Sequence, residues 1–257
     1  MFCNFKVNIS FKSFLNTVIE IFIIAKNNIL IFGILNIYLY IKHRKLLKNM
    51  SLKKALLIVI SILIVDQIIK IYIKTHYQLG EFTQVFSWFK ILFIENEGAA
   101  WGTKLSDILP FVSDKTGKLI LTLFRLVAIA GIGYWLYDTI QKRRPKILII
   151  AISLIFAGAF GNIIDSVFYG IIFNDSQGQI ATLFSDNPYS SLFHGKVVDM
   201  IQFPMIDTTW PNWVPYFGGR NFRFFEPIFN IADTSISTGV GILIVFNKKA
   251  FPKGNEE

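Results

Sequence analysis

The sequence predicts an α-helical membrane protein: a bundle of four spanning helices with a small extracytoplasmic β-sheet. Three observations lead there. Of 257 residues 53% are hydrophobic, and Phe alone occurs 26 times. These residues gather into long runs, and a run of about 20 apolar residues is what a helix needs to cross about 30 Å of hydrocarbon. The Lys and Arg residues behind the formal charge of +9 sit in short clusters between those runs. That is the pattern of cytoplasmic loops in membrane proteins, not of a nucleic-acid face.

Residues 1 to 49 hold an apolar segment broken by Glu20 and Lys26 and followed by KHRKLLK. This stretch reads either as an extra N-terminal helix or as an upstream start-site artefact, because Met50 opens a short basic head followed by a better span. The four-span core is then residues 50 to 249, with 250 to 257 as a cytoplasmic tail. Its spans run from about Ala55 to Ile73, Leu119 to Tyr137, Ile147 to Asp165 and Phe229 to Phe246. The head before Ala55, QKRRPK (141 to 146) and NKKAFPK (247 to 253) are all basic, so the positive-inside rule makes these ends cytoplasmic. Segments 75 to 118 and 166 to 228 are therefore extracytoplasmic. In the first, VFSWFKILFIENEG mixes β-branched and aromatic residues as short strands do. The second begins with turn formers and ends in an aromatic stretch, FPMIDTTWPNWVPYFGGRNFRFFEP, whose rings suit an interfacial belt.

The polar residues inside the apolar runs converge. Asp66 lies in the first span with Lys70 one turn on, so the pair neutralises itself or takes part in a site. Asn162 and Asp165 are three apart at the end of the third span, and Asn230 and Asp233 repeat that spacing at the start of the fourth. Asp199 falls just outside the same leaflet. An ionised Asp in lipid costs ~2.5 to 3.5 kcal/mol on insertion scales, so such residues pair and mark function. Taken singly, Asp199 ends a strand or turn and Asp233 caps its helix. Taken together, they form a shared-proton pair in which one carboxyl stays protonated and the other activates water. That is peptide-hydrolysis chemistry.

Other chemistries lack their residues. His43, His76 and His194 are too far apart for a zinc motif, there is no GxSxG element, and the only cysteine is Cys3. Metal and cofactor are both expected to be absent. The rival from another class is a proton- or cation-coupled transporter, which needs polar groups leading to both faces; KALLIVISIL, KILIIAISLI and GVGILIVF offer none on the inner side. An inactive scaffold is a second rival, under which Asp199 and Asp233 tolerate Asn.

DQIIK (66 to 70), NEGAAWG (96 to 102), GNIID (161 to 165), VVDM (197 to 200) and FNIADTSI (229 to 236), in register with four spans, resemble signal peptidase II, the bacterial lipoprotein signal peptidase family. The resemblance covers Met50 to Lys249. It implies an aspartic endopeptidase of the bacterial cytoplasmic (inner) membrane. Its substrates would be diacylglyceryl-modified prolipoproteins, cut before the lipidated cysteine at the outer face, with membrane lipids as the other contacts and a monomeric enzyme. It assigns catalysis to Asp199 and Asp233, and support to Asp66, Asn96, Gly98, Asn162, Asp165, Asn230 and Ala232. The first extramembrane segment then corresponds to a β-cradle and the second to a lid loop. Where the family often has Arg after GNxxD this chain has Ser166, so the charge contact of that Arg is either absent or supplied from elsewhere, with Arg220 and Arg223 as the candidates.

Overall fold

Along Leu52–His76 the buried positions Val59, Asp66, Lys70, Ile73 and Lys74 form one stripe, while Leu57, Ile64 and Ile68 face outward. Polar groups in and hydrocarbon out is the pattern of a helix solvated by lipid. In the computed structural model, which describes residues 50–97, 105–109, 111–204, 206–224 and 227–252, this is helix α1. The chain then forms strands β1 (Phe82–Phe86) and β2 (Phe89–Asn96), and a helical turn at Leu105–Ile108. Helix α2 (Asp114–Gln141) follows, with the Ser113 hydroxyl accepting the Thr116 N–H at its start. Helix α3 (Lys146–Ile164) begins after Pro145 and runs on through a π-helical turn, Asp165–Tyr169, to Ile172. Strands β3 (Val197–Gln202), β4 (Ile206–Thr209), β5 (Asn221–Phe224) and β6 (Ile228–Phe229) precede helix α4 (Ile231–Val245).

Three of these helices, Leu52–His76, Asp114–Gln141 and Lys146–Ile172, are long and apolar enough to cross a membrane. The expected fourth span is shorter than its apolar run. Ile228 and Phe229 pair with β3 and Asn230 caps the helix, so α4 starts at Ile231 and has 15 residues, roughly 22 Å of rise. Helix α3 is the hub, packed against α1, α2 and α4. Its approach to α4 depends on missing side chains. A Cβ at Gly158 would lie 2.2 Å from the Ala232 carbonyl oxygen, and one at Gly239 would lie 2.6 Å from that of Ala151.

The sheet was expected from the first extramembrane segment alone. It draws on both. Its order is β1-β2-β3-β6, antiparallel throughout, with Ile94 opposite Asp199 and Asn96 opposite Val197. A lone β1-β2 hairpin is marginal in water, and β3, buried from Val197 to Met200, supplies the apolar face it lacks. Phe93, Val198 and Met200 pack there with Ile73, Tyr169 and Phe173, which seats the sheet on the ends of α1 and α3. Strands β4 and β5 pair separately. Trp213 and Tyr216, between them, are exposed, in keeping with the aromatic belt read from the sequence.

Replacing Gly158 by Leu should force α3 and α4 apart. We expect a loss of about 1–3 kcal/mol or more of stability, read as a lowered unfolding midpoint in detergent, with Gly131→Leu, where nothing lies within 4 Å of the added Cβ, as the neutral control.

Candidate active site

Helices cannot leave a lone charge in their midst, and the interior of this bundle meets that demand with one lysine. Lys70 Nζ lies 3.0 Å from Asp66 Oδ2 and 2.8 Å from Asp165 Oδ2, and donates to Asn162 Oδ1 at 2.9 Å. All three ammonium hydrogens are used, and the three charged groups are essentially inaccessible. Gln67 ties the two carboxylates further, reaching Asp66 Oδ2 at 3.1 Å and Asp165 Oδ1 at 2.9 Å, while the Tyr169 hydroxyl fixes its amide by donating to Oε1. The i,i+4 Asp66–Lys70 pair read from the sequence is therefore present, but as part of a larger cluster.

One oxygen of each carboxylate also reaches toward a different aspartate. Asp66 Oδ1 accepts the Ala232 N–H at 2.9 Å, one residue from Asp233. Asp165 Oδ2 accepts the Val198 N–H at 3.3 Å, one residue from Asp199. At the end of α3 Asn162 reaches α4 while Asp165 reaches α1 and β3, and the π-helical turn follows from Asp165.

The two outer aspartates are held by asparagines. Asn230 Nδ2 donates to Asp199 Oδ1 at 2.7 Å and to Asn162 Oδ1 at 3.0 Å; Asn96 Nδ2 donates to Asp199 Oδ2 at 3.2 Å. Asn162 Nδ2 donates to Asp233 Oδ1 at 2.7 Å. Asp233 also closes a capping box: its Oδ2 accepts the Asn230 N–H at 3.2 Å and its own N–H reaches Asn230 Oδ1 at 2.8 Å. Helix capping and site membership thus coexist in Asp233. Asp199 is buried and Asp233 half-buried. Burial, and then the charge of Asp233, push the Asp199 carboxyl up to about 7 against the opposing hydrogen bonds from Asn96 and Asn230. A carboxyl so placed holds a proton near neutral pH.

Of the residues expected here, Asp66, Asn96, Asn162, Asp165, Asp199, Asn230, Ala232 and Asp233 come together; Gly98 lies outside the described residues. Ser166 is buried and donates to the Asn162 carbonyl oxygen at 3.1 Å. Arg220 is exposed, and the Arg223 side chain lies outside the described residues. One group escaped the sequence reading. Lys74 bonds Glu95 and Ser176, and Lys196 Nζ sits 3.2 Å from the other Glu95 oxygen. Burial raises the Glu95 carboxyl, yet the charge and hydrogen bond of Lys74, with help from Ser176 and Lys196, outweigh it and hold Glu95 below the usual carboxylate range. This knot, next to Asn96, anchors β2 over the end of α1.

The sequence profile described as Signal peptidase (SPase) II matches residues 57–248. The chain belongs to the signal peptidase II family. A lipoprotein signal peptidase of Porphyromonas gingivalis is 43% identical over 212 residues, covering 78% of this chain and 89% of that protein. One from Amoebophilus asiaticus is 32% identical over 194 residues, 73% and 74% of the two chains. A bacterial membrane enzyme solved by the in meso method at 2.3 Å matches with a TM-score of 0.50 and 28% identity, covering 82% of this chain and 97% of that one. As a signal peptidase II the chain is a multi-pass membrane peptidase, and every residue of the cluster lies inside the family match.

Removing the shared lysine tests the cluster. Lys70→Met leaves two buried carboxylates without their cation, which should cost about 3–5 kcal/mol. The readout is the unfolding midpoint of the purified protein, with the exposed Lys142→Met, whose partner Asp138 is one turn away on α2, as the near-neutral comparison.

Proposed function

We propose that this signal peptidase II is an aspartic endopeptidase that removes signal peptides from prolipoproteins, cutting before the diacylglyceryl-modified cysteine. The observation that carries the reading is the unequal pair: Asp199 pushed up to about 7 and Asp233 more open, each aligned by asparagines that also join them. In this reading the proton of the pair resides on Asp199. Asp233 takes a proton from water as the water oxygen bonds to the scissile carbonyl carbon, and Asp199 gives its proton to the carbonyl oxygen. The tetrahedral intermediate then collapses: the C–N bond breaks, Asp233 passes its proton to the leaving amine, and a hydroxyl proton returns to Asp199. Asn96 and Asn230 keep Asp199 oriented throughout.

The basic ends of the spans support a cytoplasmic-membrane topology in which the termini of the 50–249 core are cytoplasmic and the site faces outward. In that arrangement the acyl chains of the substrate remain in lipid and the scissile bond lies beside Asp199 and Asp233. Residues 1–49 lie outside this peptidase unit.

The test is a gel-shift processing assay on a lipidated prolipoprotein at matched membrane levels. Asp199→Asn and Asp233→Asn should each lower turnover by about 10³-fold or more, as loss of a working acid or base does in concert with its partner. The rate should also fall as pH rises through about 7, because the acid, Asp199, loses its proton there and the mechanism needs it protonated. Near-normal turnover of either variant would return that Asp to a structural role.

A further inference from the structure

At the end of the bundle away from the sheet, Met50, Ala55, Leu136, Leu148, Ile149 and Ala250 pack together. The start of α1, the turn between α2 and α3 and the segment after α4 therefore meet there, roughly 25 Å along α3 from Asp165. Beside this packing lies a cavity of about 340 Å³, lined by Trp135, Asp138, Thr139, Arg144, Leu148 and Phe251 among others. Its polar groups are built in but not used. Thr139 is 2% exposed, yet its hydroxyl makes no hydrogen bond among the described residues, whereas Thr75 and Thr122 each give theirs to the carbonyl oxygen four residues back. A buried hydroxyl without a partner is costly, so it points to a ligand. The Arg144 N–H donates to the Thr139 carbonyl oxygen at 3.0 Å, which fixes Arg144 beside that residue. The turn that places it carries strain, since Arg143 has a φ of 51°. Among the described residues the Arg144 side chain forms no ion pair. Asp138, the one carboxylate of the lining, is already paired with Lys142 at 2.9 Å.

The surroundings carry one sign of charge. Lys53 and Lys54, the basic residues of 142–146, and Lys248 and Lys249 lie at this end, and Asp138 is the only acidic residue within 50–60, 132–150 and 243–252. Both α2 and α3 are long and apolar enough to span a membrane, so the cavity sits where the spans leave hydrocarbon. Trp135, with Tyr134 and Tyr137 exposed on either side, marks the headgroup level. A phosphate diester suits the two free groups, because a guanidinium fork and a hydroxyl both donate to its oxygens. Trp135, Leu148 and Phe251 supply the apolar wall that such a group needs only if it carries a lipid. We propose that this cavity binds the headgroup of an anionic phospholipid, with the phosphate held by Arg144 and Thr139 and the acyl chains lying along the outer face of α2. In the topology proposed above it draws on the inner leaflet. The site is separate from the peptidase chemistry and does not depend on it.

The test uses the full-length protein in detergent micelles with phosphatidylglycerol, phosphatidylcholine or inorganic phosphate added, and reads bound lipid by native mass spectrometry together with the unfolding midpoint. Ionic strength is kept above about 0.15 M, so that attraction by exposed charges more than about 8 Å away is screened. Phosphatidylglycerol should bind at least about fivefold more tightly than phosphatidylcholine and raise the midpoint. Arg144→Gln should lower that affinity about 10-fold, as loss of a hydrogen bond to a charged group does, and Thr139→Val about fivefold. Lys54→Gln, an exposed cation at the same end that does not line the cavity, should change it less than about twofold. Thr139→Val alters no charge and keeps the test decisive if Arg144→Gln does not fold. Equal binding of the two lipids would overturn the inference. So would an equal loss in Lys54→Gln, which means diffuse surface attraction, or a midpoint shift with inorganic phosphate matching that with phosphatidylglycerol, which means an ion site without a lipid.

Discussion

One ammonium group in a lipid-solvated bundle holds this protein together at its chemical end. Lys70 is surrounded by Asp66, Asp165 and Asn162, and the three charged groups are fully buried. In a medium of low dielectric such a cluster is tolerable only when its donors and acceptors are used, and here Asp66 and Asp165 also accept backbone N–H groups of α4 and β3. The consequence is positional. Ala232 and Val198 are the neighbours of Asp233 and Asp199, so the ion cluster sets where the two outer aspartates stand without touching either of them.

Packing serves the same end. The α3–α4 seam is closed at Gly158 and Gly239 to distances that no side chain would allow, and this brings Asn162 within 2.7 Å of Asp233. The fourth helix gives up its first residues to the sheet through β6, and the capping box at Asn230 turns the chain from strand to helix at the point where Asp233 is needed. Sheet and bundle are thus joined at the site rather than merely stacked beside it. The Lys74–Glu95–Lys196 knot repeats the theme one layer out and holds β2, hence Asn96, above Asp199.

Much of this was legible in the sequence because local spacing carries it. Four apolar runs, an Asp and Lys one turn apart, and two Asn–Asp pairs three apart are statements about helices, and helices obeyed them. The β1-β2 hairpin was visible in ILFIEN for the same reason. What stayed hidden depends on contacts distant along the chain. Nothing in VVDM says that it forms the third strand of a sheet begun a hundred residues earlier, and the π-helical turn after Ile164 lies within a run that reads as plain helix. Lys74, Glu95, Ser176 and Lys196 come from separate segments, and their meeting has no local signature. Arg220, the cation expected from the second loop, is exposed.

The central claim is that Asp199 keeps the proton of a shared pair. It is tested most directly by following the Asp199 carboxyl itself, with ¹³C-labelled aspartate in nanodiscs and Asp199→Asn to assign the signal. The account predicts that Asp199 titrates near 7 in the wild type and at lower pH in Asp233→Asn, where the neighbouring negative charge is gone. An Asp199 that titrates near 4, its ordinary value, in both proteins would contradict it.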